Sequence, residues 1–293
     1  MERDIVLILE EGVMQGVFGA GVVTALSESG IHGRVHSVYG VSAGAHNGAY
    51  FLSRQTRFGS SIYFEDLAGP LFISYRKAPR FLLDVLHASV NRNHQVRNVV
   101  EMDYLTDHIE SHKKKLAVEE IRKQPTRFFV RVYDVDACSH VLLDAKADTL
   151  QAIKASSSAA PYYARAVEIN GRRYIDGSAI RSKGFMDVIR EHSDKTVIYV
   201  RNRNKTHLKT MFEYPGHVIE SLFYAPIFGW RVVAKKIAAT FSYPSEQELR
   251  SFPNVRLAIN RRGYRTAERN AEKLHEIFDH GYAEGKKVLN GRA

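Results

Sequence analysis

The stretch from residue 35 to residue 52 decides the fold, and it reads VHSVYGVSAGAHNGAYFL. Residues 35–41 form a short apolar run that predicts a strand, and residues 43–52 are rich in small residues and predict a helix. Between the two, Gly40, Ser42 and Gly44 complete the pattern G-x-S-x-G of a nucleophile elbow. The sequence therefore predicts a serine in a tight turn between a strand and a helix.

The two glycines of this pattern have a steric role. A serine in so tight a turn takes a strained backbone conformation, and side chains at positions 40 and 44 would collide with the neighbouring strand and helix. The turn holds the Ser42 hydroxyl at a helix N-terminus, whose dipole favours the negative charge that develops in acyl transfer. An ordinary glycine-rich turn can produce the same pattern by chance, so the structural context decides between the two interpretations.

Apolar runs and helical spacings alternate along the rest of the chain. Residues 4–10 read DIVLILE, a continuous apolar run typical of a strand buried on both faces. Residues 16–29 have helical spacing, and Gly30 supplies a stop. Further strands are predicted at residues 127–133, 140–143 and 196–200, and further helices at residues 104–123, 149–159, 182–192 and 266–289. This alternation predicts an α/β domain with a mixed, mainly parallel sheet between helices.

No internal repeat, low-complexity tract or Pro/Gly/Ser-rich linker divides the chain. We therefore predict a single domain over residues 1–293. Its motifs lie within residues 5–180, and residues 207–293 are expected to form a helical C-terminal part.

Four segments, in order and spacing, resemble the patatin-like phospholipase family. They are EEGVMQGVF at residues 10–18, the elbow around Ser42, KASSSAAPYY at residues 154–163 and YIDGS at residues 174–178. The early position of Ser42, after the second predicted strand, differs from ordinary triad hydrolases, in which the elbow follows several strands. The resemblance covers the chain from residue 5 to residue 180.

This resemblance implies a three-layer patatin-like fold and a serine carboxylic-ester hydrolase of the phospholipase A or lysophospholipase type. Ser42 would attack the ester carbonyl of a phospholipid or another acyl-ester lipid, and Asp176 would take its proton directly. Water would then release the acyl group, so neither a metal nor an organic cofactor is implied. Main-chain N–H groups around three residues would form the oxyanion hole: Gly12, Val13 and Met14. Gly16 and Gly177 match further motif glycines of the family.

Asp176 as a base requires an unusual environment. A free aspartate has a pKa near ~3.9 and is a weak base at neutral pH, whereas burial in an apolar pocket raises the pKa. Residues 65–98 and 207–245 hold aromatic and aliphatic clusters that are candidates for a lid or an acyl-chain channel. The alternative for Asp176 is a turn residue in an Asp-Gly hairpin.

The oxyanion segment departs from the family pattern at three positions. Glu11 and Val13 stand where the family usually has glycine, and Gln15 stands where it usually has Arg or Lys. A β-branched valine at positive φ would be strained. Because the loss of one oxyanion donor typically slows turnover by ~10²–10³, the alternative is a catalytically degraded member that acts as a membrane- or partner-binding module.

The composition bounds the location and the partners. The chain has a net charge of +10 and a single cysteine, which favours a reducing compartment and excludes an internal disulfide framework. Neither a signal peptide nor a membrane-spanning run is recognisable, so we predict a cytoplasmic protein with transient contact with membrane surfaces. Nucleic acid is not expected as a partner, and no oligomeric state is predicted. The basic group of Arg201, Arg203 and Lys205 is expected on a solvated face.

Two other interpretations remain open. A Ser-His-Asp triad could use a late histidine, the candidates being His192, His207, His217, His275 and His280. No metal-binding spacing such as His-Glu-x-x-His occurs, and the glycines at positions 12–21 do not form a nucleotide-binding pattern.

Residues 218–240 partly fit an amphipathic membrane-docking helix, with Trp230 and Val233 set against Lys235 and Lys236, although a packed core helix is the competing interpretation.

Overall fold

The protein consists of one mixed sheet between layers of helices. The structure is a computed structural model that describes residues 2–91, 93–203 and 207–290, without the side chains of residues 207–209. The strands are β1 (Ile5–Leu9), β2 (Val35–Gly40), β3 (Arg127–Asp134), β4 (Ser139–Asp144), β5 (Val167–Ile169), β6 (Arg172–Asp176), β7 (Thr196–Arg201) and β8 (Val255–Ile259). The longer helices are α1 (Gly16–Glu28), α2 (Ala43–Leu52), α3 (Thr56–Glu65), α4 (Ala78–Val90), α5 (Val118–Lys123) and α6 (Thr149–Ser157). They are followed by α7 (Met186–Glu191), α8 (His207–Leu222), α9 (Ala225–Phe228), α10 (Trp230–Ala238), α11 (Glu246–Arg250) and α12 (Ala271–Leu289).

Strand β1 shows why the sheet is covered on both sides. Its side chains alternate between the two faces of the sheet, as the pleat of a strand requires. Ile5, Leu7 and Leu9 join the core cluster that contains side chains of α1, α2 and α12, whereas Val6 and Ile8 join the cluster built with α7 and α11. All five are buried, so the continuous apolar run follows directly from a central strand between two helical layers.

Hydrogen-bonded pairing connects the strands in the path β5-β6-β3-β2-β1-β7-β8, and β4 pairs with β3 outside this path. The pairs β3–β2, β2–β1, β1–β7 and β7–β8 are parallel, and β4, β5 and β6 pair antiparallel. The prediction of a mixed, mainly parallel sheet flanked by helices is confirmed.

Strands β2 and β6 share one edge of β3. Strand β4 pairs with β3 from Phe129 to Asp134 and therefore occupies the opposite edge of β3 from both of them. On the shared edge Gly40, the last residue of β2, pairs with Val130, and Asp176, the last residue of β6, pairs with Val132. Because β2 runs parallel and β6 antiparallel to β3, their carboxyl ends meet end to end.

Three predicted helices have different bounds in the structure. The helix expected over residues 104–123 is a π-helical segment, Tyr104–Lys113, followed by α5. Tyr50 and Gln55 side chains donate to the carbonyls of residues 114 and 115 and so satisfy the backbone at the break. The helix expected over residues 182–192 begins only at α7, after Gly184 at φ 65°. The helix expected over residues 266–289 begins at α12, where the Asn270 side chain accepts from a backbone N–H.

Residues 218–240 do not form the single amphipathic helix that was one of the two interpretations of this segment. The chain breaks after α8, and Gly229 at φ 90° separates α9 from α10. On α10 Val233 is buried in the core, and Lys236 is largely buried with its ammonium near the Glu220 carboxylate at 3.5 Å. The apolar side of α10 is therefore packed into the core, which favours the packed-helix interpretation, although Trp230 is exposed.

The C-terminal part is not purely helical, which corrects the prediction for residues 207–293. It contributes β8, which pairs in parallel with β7 at the edge of the sheet. This strand was missed because its apolar run is short and follows the Pro-Asn turn at residues 253–254.

Arg201 is buried, contrary to the expectation that its basic group is solvated. Its guanidinium lies 3.3 Å from the Glu10 carboxylate and donates to the Pro244 carbonyl at 3.0 Å. The Tyr199 hydroxyl donates to the same carboxylate at 2.5 Å. The buried ion pair and these additional hydrogen bonds compensate for the desolvation of the Arg201 guanidinium. Arg203 is partly buried, and Lys205 lies outside the described residues.

Helices α1 and α12 pack so closely that glycine is required between them. A Cβ on Gly281 of α12 would overlap the Phe18 carbonyl of α1. We expect Gly281→Ala to lower the free energy of unfolding by about 1–3 kcal/mol, because the two backbones must separate. The matched control is Gly216→Ala on α8, where a Cβ meets nothing within 4 Å. Urea unfolding should show the control unchanged or slightly stabilised, and equal effects of the two changes would contradict the prediction.

Candidate active site

Ser42 occupies the turn between β2 and α2, as the sequence predicts. Its backbone has φ 53° and ψ −125°, a conformation that is strained for any residue except glycine. A Cβ on Gly40 would lie 2.7 Å from Ala45 of α2, and a Cβ on Gly44 would overlap the Leu9 carbonyl of β1. The close approach of β1, β2 and α2 thus explains both glycines of the motif. The hydroxyl is directed from the start of a helix toward a cavity.

Asp176 ends strand β6 and is buried. Its carboxylate accepts a hydrogen bond from the Ser178 backbone N–H at 2.7 Å, and the Ser42 hydroxyl lies close enough to affect its pKa. A Cβ on Gly177 would overlap the Arg131 carbonyl of β3, so the residue after the aspartate must also be glycine. The two side chains that the sequence proposes as nucleophile and base both line the same cavity.

Burial raises the pKa of the Asp176 carboxyl to about 6. The hydrogen bond from the Ser178 N–H and the nearby Ser42 hydroxyl favour the carboxylate and lower its pKa, but they offset the effect of burial only in part. A carboxylate with such a pKa is a stronger base than a solvated aspartate and is still ionised at neutral pH.

The end of α6 fixes the backbones of both residues. The Ser42 N–H donates to the Ser156 carbonyl at 3.1 Å, and the Asp176 N–H donates to the Ser158 carbonyl at 3.1 Å. Together with the shared edge of β3, these bonds hold the elbow and the strand end in one position. The sequence pointed to this segment only as an Ala/Ser-rich match at residues 154–163, because such bonds leave no local pattern.

The loop expected to form the oxyanion hole lies beside the elbow. Gly16 packs so closely on Ala43 of α2 that a Cβ would overlap the Ala43 side chain. Val13 has φ 50°, the strained conformation that the sequence analysis considered for it. The Met14 N–H donates to the Thr266 carbonyl at 3.2 Å, so in this structure it is already engaged. Gly12 and Val13 therefore remain the candidate donors of the loop.

A hydrogen-bonded network of polar side chains that was not predicted from the sequence lines the same cavity. His46, one turn after Ser42 on α2, is buried; its Nδ1 lies 2.7 Å from the Glu110 carboxylate and its Nε2 lies 2.9 Å from the Ser157 hydroxyl. The Ser157 hydroxyl also donates to the Ile153 carbonyl at 2.7 Å. The position of His46 at i+4 from the elbow serine was the available signal, but its partner at position 110 could not be read from sequence.

Three of the histidines proposed for a triad pack against aromatic side chains, and a fourth lines the cavity. His192 stacks edge-on against Tyr39, His275 stacks on Phe64, and His280 contacts Phe18. His217 lines the cavity, where it accepts a hydrogen bond from Arg181 at 2.8 Å. The side chain of His207 lies outside the described residues. Within the described part of the chain, the Asp176 carboxylate accepts a hydrogen bond from the Ser178 N–H and none from His192, His217, His275 or His280.

The elbow opens into a cavity of about 680 Å³. Both apolar segments noted in the sequence contribute to its wall, with Phe72 and Phe81 from the first and Phe223 and Tyr224 from the second. A polar end near Asp176 is formed by four side chains: Arg181, His217, Glu220 and Lys236. The cavity thus combines an apolar region large enough for an acyl chain with a charged end.

Neither a metal cluster nor a spanning helix is found in the parts of the chain that the structure covers. Among residues 2–91, 93–203 and 207–290, no three His, Cys, Asp or Glu side chains are grouped to hold a metal ion. Over the same residues, no helix combines the length and apolar character needed to cross a bilayer.

Comparison with known proteins identifies a family and several similar solved structures. The model of the family described as patatin-like phospholipase matches residues 7–189. No curated protein sequence matches the chain. VipD from Legionella pneumophila is 13% identical with a TM-score of 0.48, and the match covers 99% of this chain and 67% of VipD. A structure described as the heterodimeric ExoU–SpcU complex of the type III secretion system of Pseudomonas aeruginosa is 15% identical with a TM-score of 0.41, and the match covers 99% of this chain and 52% of the matched chain.

Proposed function

Because the chain belongs to the patatin-like phospholipase family, whose activity is the hydrolysis of lipids, we propose that it cleaves acyl ester bonds of phospholipids or related lipids through a dyad of Ser42 and Asp176. The observation that carries this proposal is the position of the Ser42 hydroxyl beside the buried Asp176 carboxyl, in the wall of a largely apolar cavity. The family match and the sequence resemblance agree on the class of substrate.

In the proposed mechanism, the acyl chain lies in the apolar part of the cavity and the ester carbonyl faces Ser42. Asp176 removes the hydroxyl proton as Oγ attacks the carbonyl carbon. The protonated Asp176 returns this proton to the leaving alcohol, and the acyl group remains on Ser42. Water, activated in turn by the Asp176 carboxylate, then releases the fatty acid and regenerates the serine. Only water is required as co-substrate.

Charge that develops on the carbonyl oxygen would be stabilised by the main-chain N–H groups of Gly12 and Val13 and by the start of α2. The Met14 N–H becomes available only if its bond to the Thr266 carbonyl opens. This arrangement also gives a second candidate function. Because Val13 is strained and the Met14 N–H is engaged, a protein that binds lipid or a partner without hydrolysis is the alternative.

The test is the hydrolysis of a short-chain chromogenic ester and of a mixed phospholipid suspension by the wild-type protein. Cleavage of either substrate supports the hydrolase. Absence of cleavage of both substrates by folded protein would favour the binding-only alternative.

The pH dependence of hydrolysis tests the role of Asp176. A base must be ionised, so kcat/KM should rise by about tenfold per pH unit below the pKa of the base and level off above it. With the pKa of Asp176 raised to about 6, the bend should appear near pH 6 rather than near the value of a solvated aspartate. Initial rates on the short-chain ester should be measured over a range in which the fold stays intact by circular dichroism. A profile that is flat through this range would argue against a carboxylate base.

A further inference from the structure

Helix α4 has apolar side chains on its solvent face. Its inner face buries Phe81, Val85 and Ala88, as expected for a surface helix. The opposite face should then be polar, but it presents four aliphatic side chains whose exposed fractions range from 45% to 91%: Leu82, Leu83, Leu86 and Val90. A helix that is apolar on both faces normally lies inside a protein or against another apolar phase.

Helix α8 is amphipathic in the inverted sense. Thr210, His217 and Ser221 point inward, where His217 and Glu220 line the polar end of the cavity. The side facing solvent carries Met211, Phe212, Ile219 and Leu222, and Phe212 is 81% exposed. Helical spacing places these four side chains in one stripe. The polar face of this helix is covered and its apolar face is left to solvent, opposite to the usual arrangement.

The two helices flank the same cavity. Leu82 of α4 and Phe223, which directly follows α8, both contribute to the cavity wall. The rings of Phe81 and Phe223 meet edge to face at 5.9 Å and connect the two helices. We call the exposed side chains of α4 (Leu82, Leu83, Leu86 and Val90) and of α8 (Met211, Phe212, Ile219 and Leu222) the apolar face. It therefore adjoins the cavity into which Ser42 opens.

Basic side chains border the apolar face at the start of α4. Arg76, Lys77 and Arg80 are exposed there, and Arg97 is exposed beside the buried Asp84. Of the acidic groups nearby, Glu101 pairs with Lys77, and Asp84 pairs with His94 and Arg97. On α8, Glu220 lines the cavity, and the exposed Glu213 carboxylate lies 3.7 Å from His217. The exposed residues that border the apolar face are therefore mainly basic, in line with the net charge of +10 of the chain.

We propose that the apolar face docks on an anionic lipid bilayer, with the side chains of α4 and α8 inserted among the acyl chains and the basic border against the headgroups. An anionic bilayer provides an apolar interior for the aliphatic and aromatic side chains and a negatively charged surface for the basic ones. An interfacial helix uses both. Docking in this orientation places the cavity opening against the source of the substrate class proposed above. The surface itself does not depend on the chemistry of the dyad.

The experiment measures cosedimentation with vesicles in the Ser42→Ala background, so that no vesicle lipid is consumed. One vesicle population is phosphatidylcholine with about one third phosphatidylglycerol, and the other is phosphatidylcholine alone. The surface variant is Leu86→Gln with Phe212→Gln, one side chain from each helix. The matched control is Leu142→Gln with Phe58→Gln, which replaces the same residue types at exposed positions outside both helices. Glutamine keeps helix propensity close to that of leucine.

We expect the parent protein to sediment with the anionic vesicles, more weakly with the neutral ones, and less at high salt. The surface variant should lose at least about tenfold in partition coefficient, and the control should stay within about twofold of the parent. Equal binding by the surface variant and the control would overturn the proposal, as would a parent protein that stays in the supernatant. A parent dimer that the surface variant converts to monomer would instead assign the face to a second copy of the chain. Because binding is read directly, a lack of hydrolysis leaves this test unaffected.

Discussion

Ser42→Ala is expected to abolish ester hydrolysis, with a loss of at least ~10³-fold in kcat, because the nucleophile is removed. The side chain contributes little packing volume, so the fold should be unchanged by circular dichroism and thermal unfolding. Hydrolysis of the short-chain ester under conditions that saturate the wild-type enzyme provides the measurement.

Ser157→Ala is the informative comparison for this prediction. Ser157 lines the same cavity and is hydrogen-bonded to His46, which in turn contacts Glu110, so these residues form a serine–histidine–carboxylate chain. If the dyad performs the chemistry, Ser157→Ala should retain far more activity than Ser42→Ala. The reverse order of effects would move the nucleophile from Ser42 to the chain built around His46.

Asp176→Asn is expected to reduce kcat by about 10²–10⁴-fold, because the amide cannot accept the serine proton. The amide oxygen can still accept the Ser178 N–H, and the size of the side chain is unchanged, so the geometry of the loop should persist. The same substitution should stabilise the protein. Burial raises the pKa of Asp176 to about 6, so at neutral pH the ionised carboxylate costs on the order of 2–3 kcal/mol of folding free energy.

The sign of this effect depends on pH. Below the pKa of the unfolded chain the carboxyl is protonated in both states, and wild type and variant should be equally stable with respect to this group. Between the unfolded pKa and the folded pKa of about 6, the unfolded state has released its proton and the folded state has not, so the advantage of the variant should grow over this range and level off above it. Urea unfolding at several pH values measures it. Asp187→Asn, at an exposed carboxylate on α7, is the control, and it should show neither loss of activity nor this pH dependence. A variant that is inactive and also less stable would indicate that Asp176 is a structural residue.

The elements that carry the candidate site were largely predictable from sequence because their signals are local. The run from Ile5 to Leu9 is apolar on both faces, and the turn around Ser42 contains its own glycines. Strand β6 was not predicted, because Arg172 and Arg173 are exposed and only its last three residues are buried. Asp176 was found by its resemblance to the family motif and not as the end of a strand.

What the sequence could not provide is the set of contacts between distant segments. The Ser156 and Ser158 carbonyls that hold the elbow and the aspartate, and the pairing of His46 with Glu110, join residues that are far apart in the chain. Arg201 was expected on a solvated face together with its basic neighbours, because nothing nearby in the sequence identifies Glu10 as its partner. The apolar segments were visible, but only the packing of α4 and α8 reveals which of their faces remain exposed.

The shared edge of β3 has a consequence for insertions and deletions. Gly40 and Asp176 are fixed opposite Val130 and Val132, so the distance between nucleophile and base is set by the length of one short piece of strand. One inserted residue there would lengthen the separation by about 3.3 Å and turn the following side chains to the other face of the sheet. The end of α6 is held in register with both residues by the Ser156 and Ser158 carbonyls, whereas the loops that join these elements are less constrained in length. Relatives that keep the dyad should therefore vary in size mainly in those loops and not at this piece of β3.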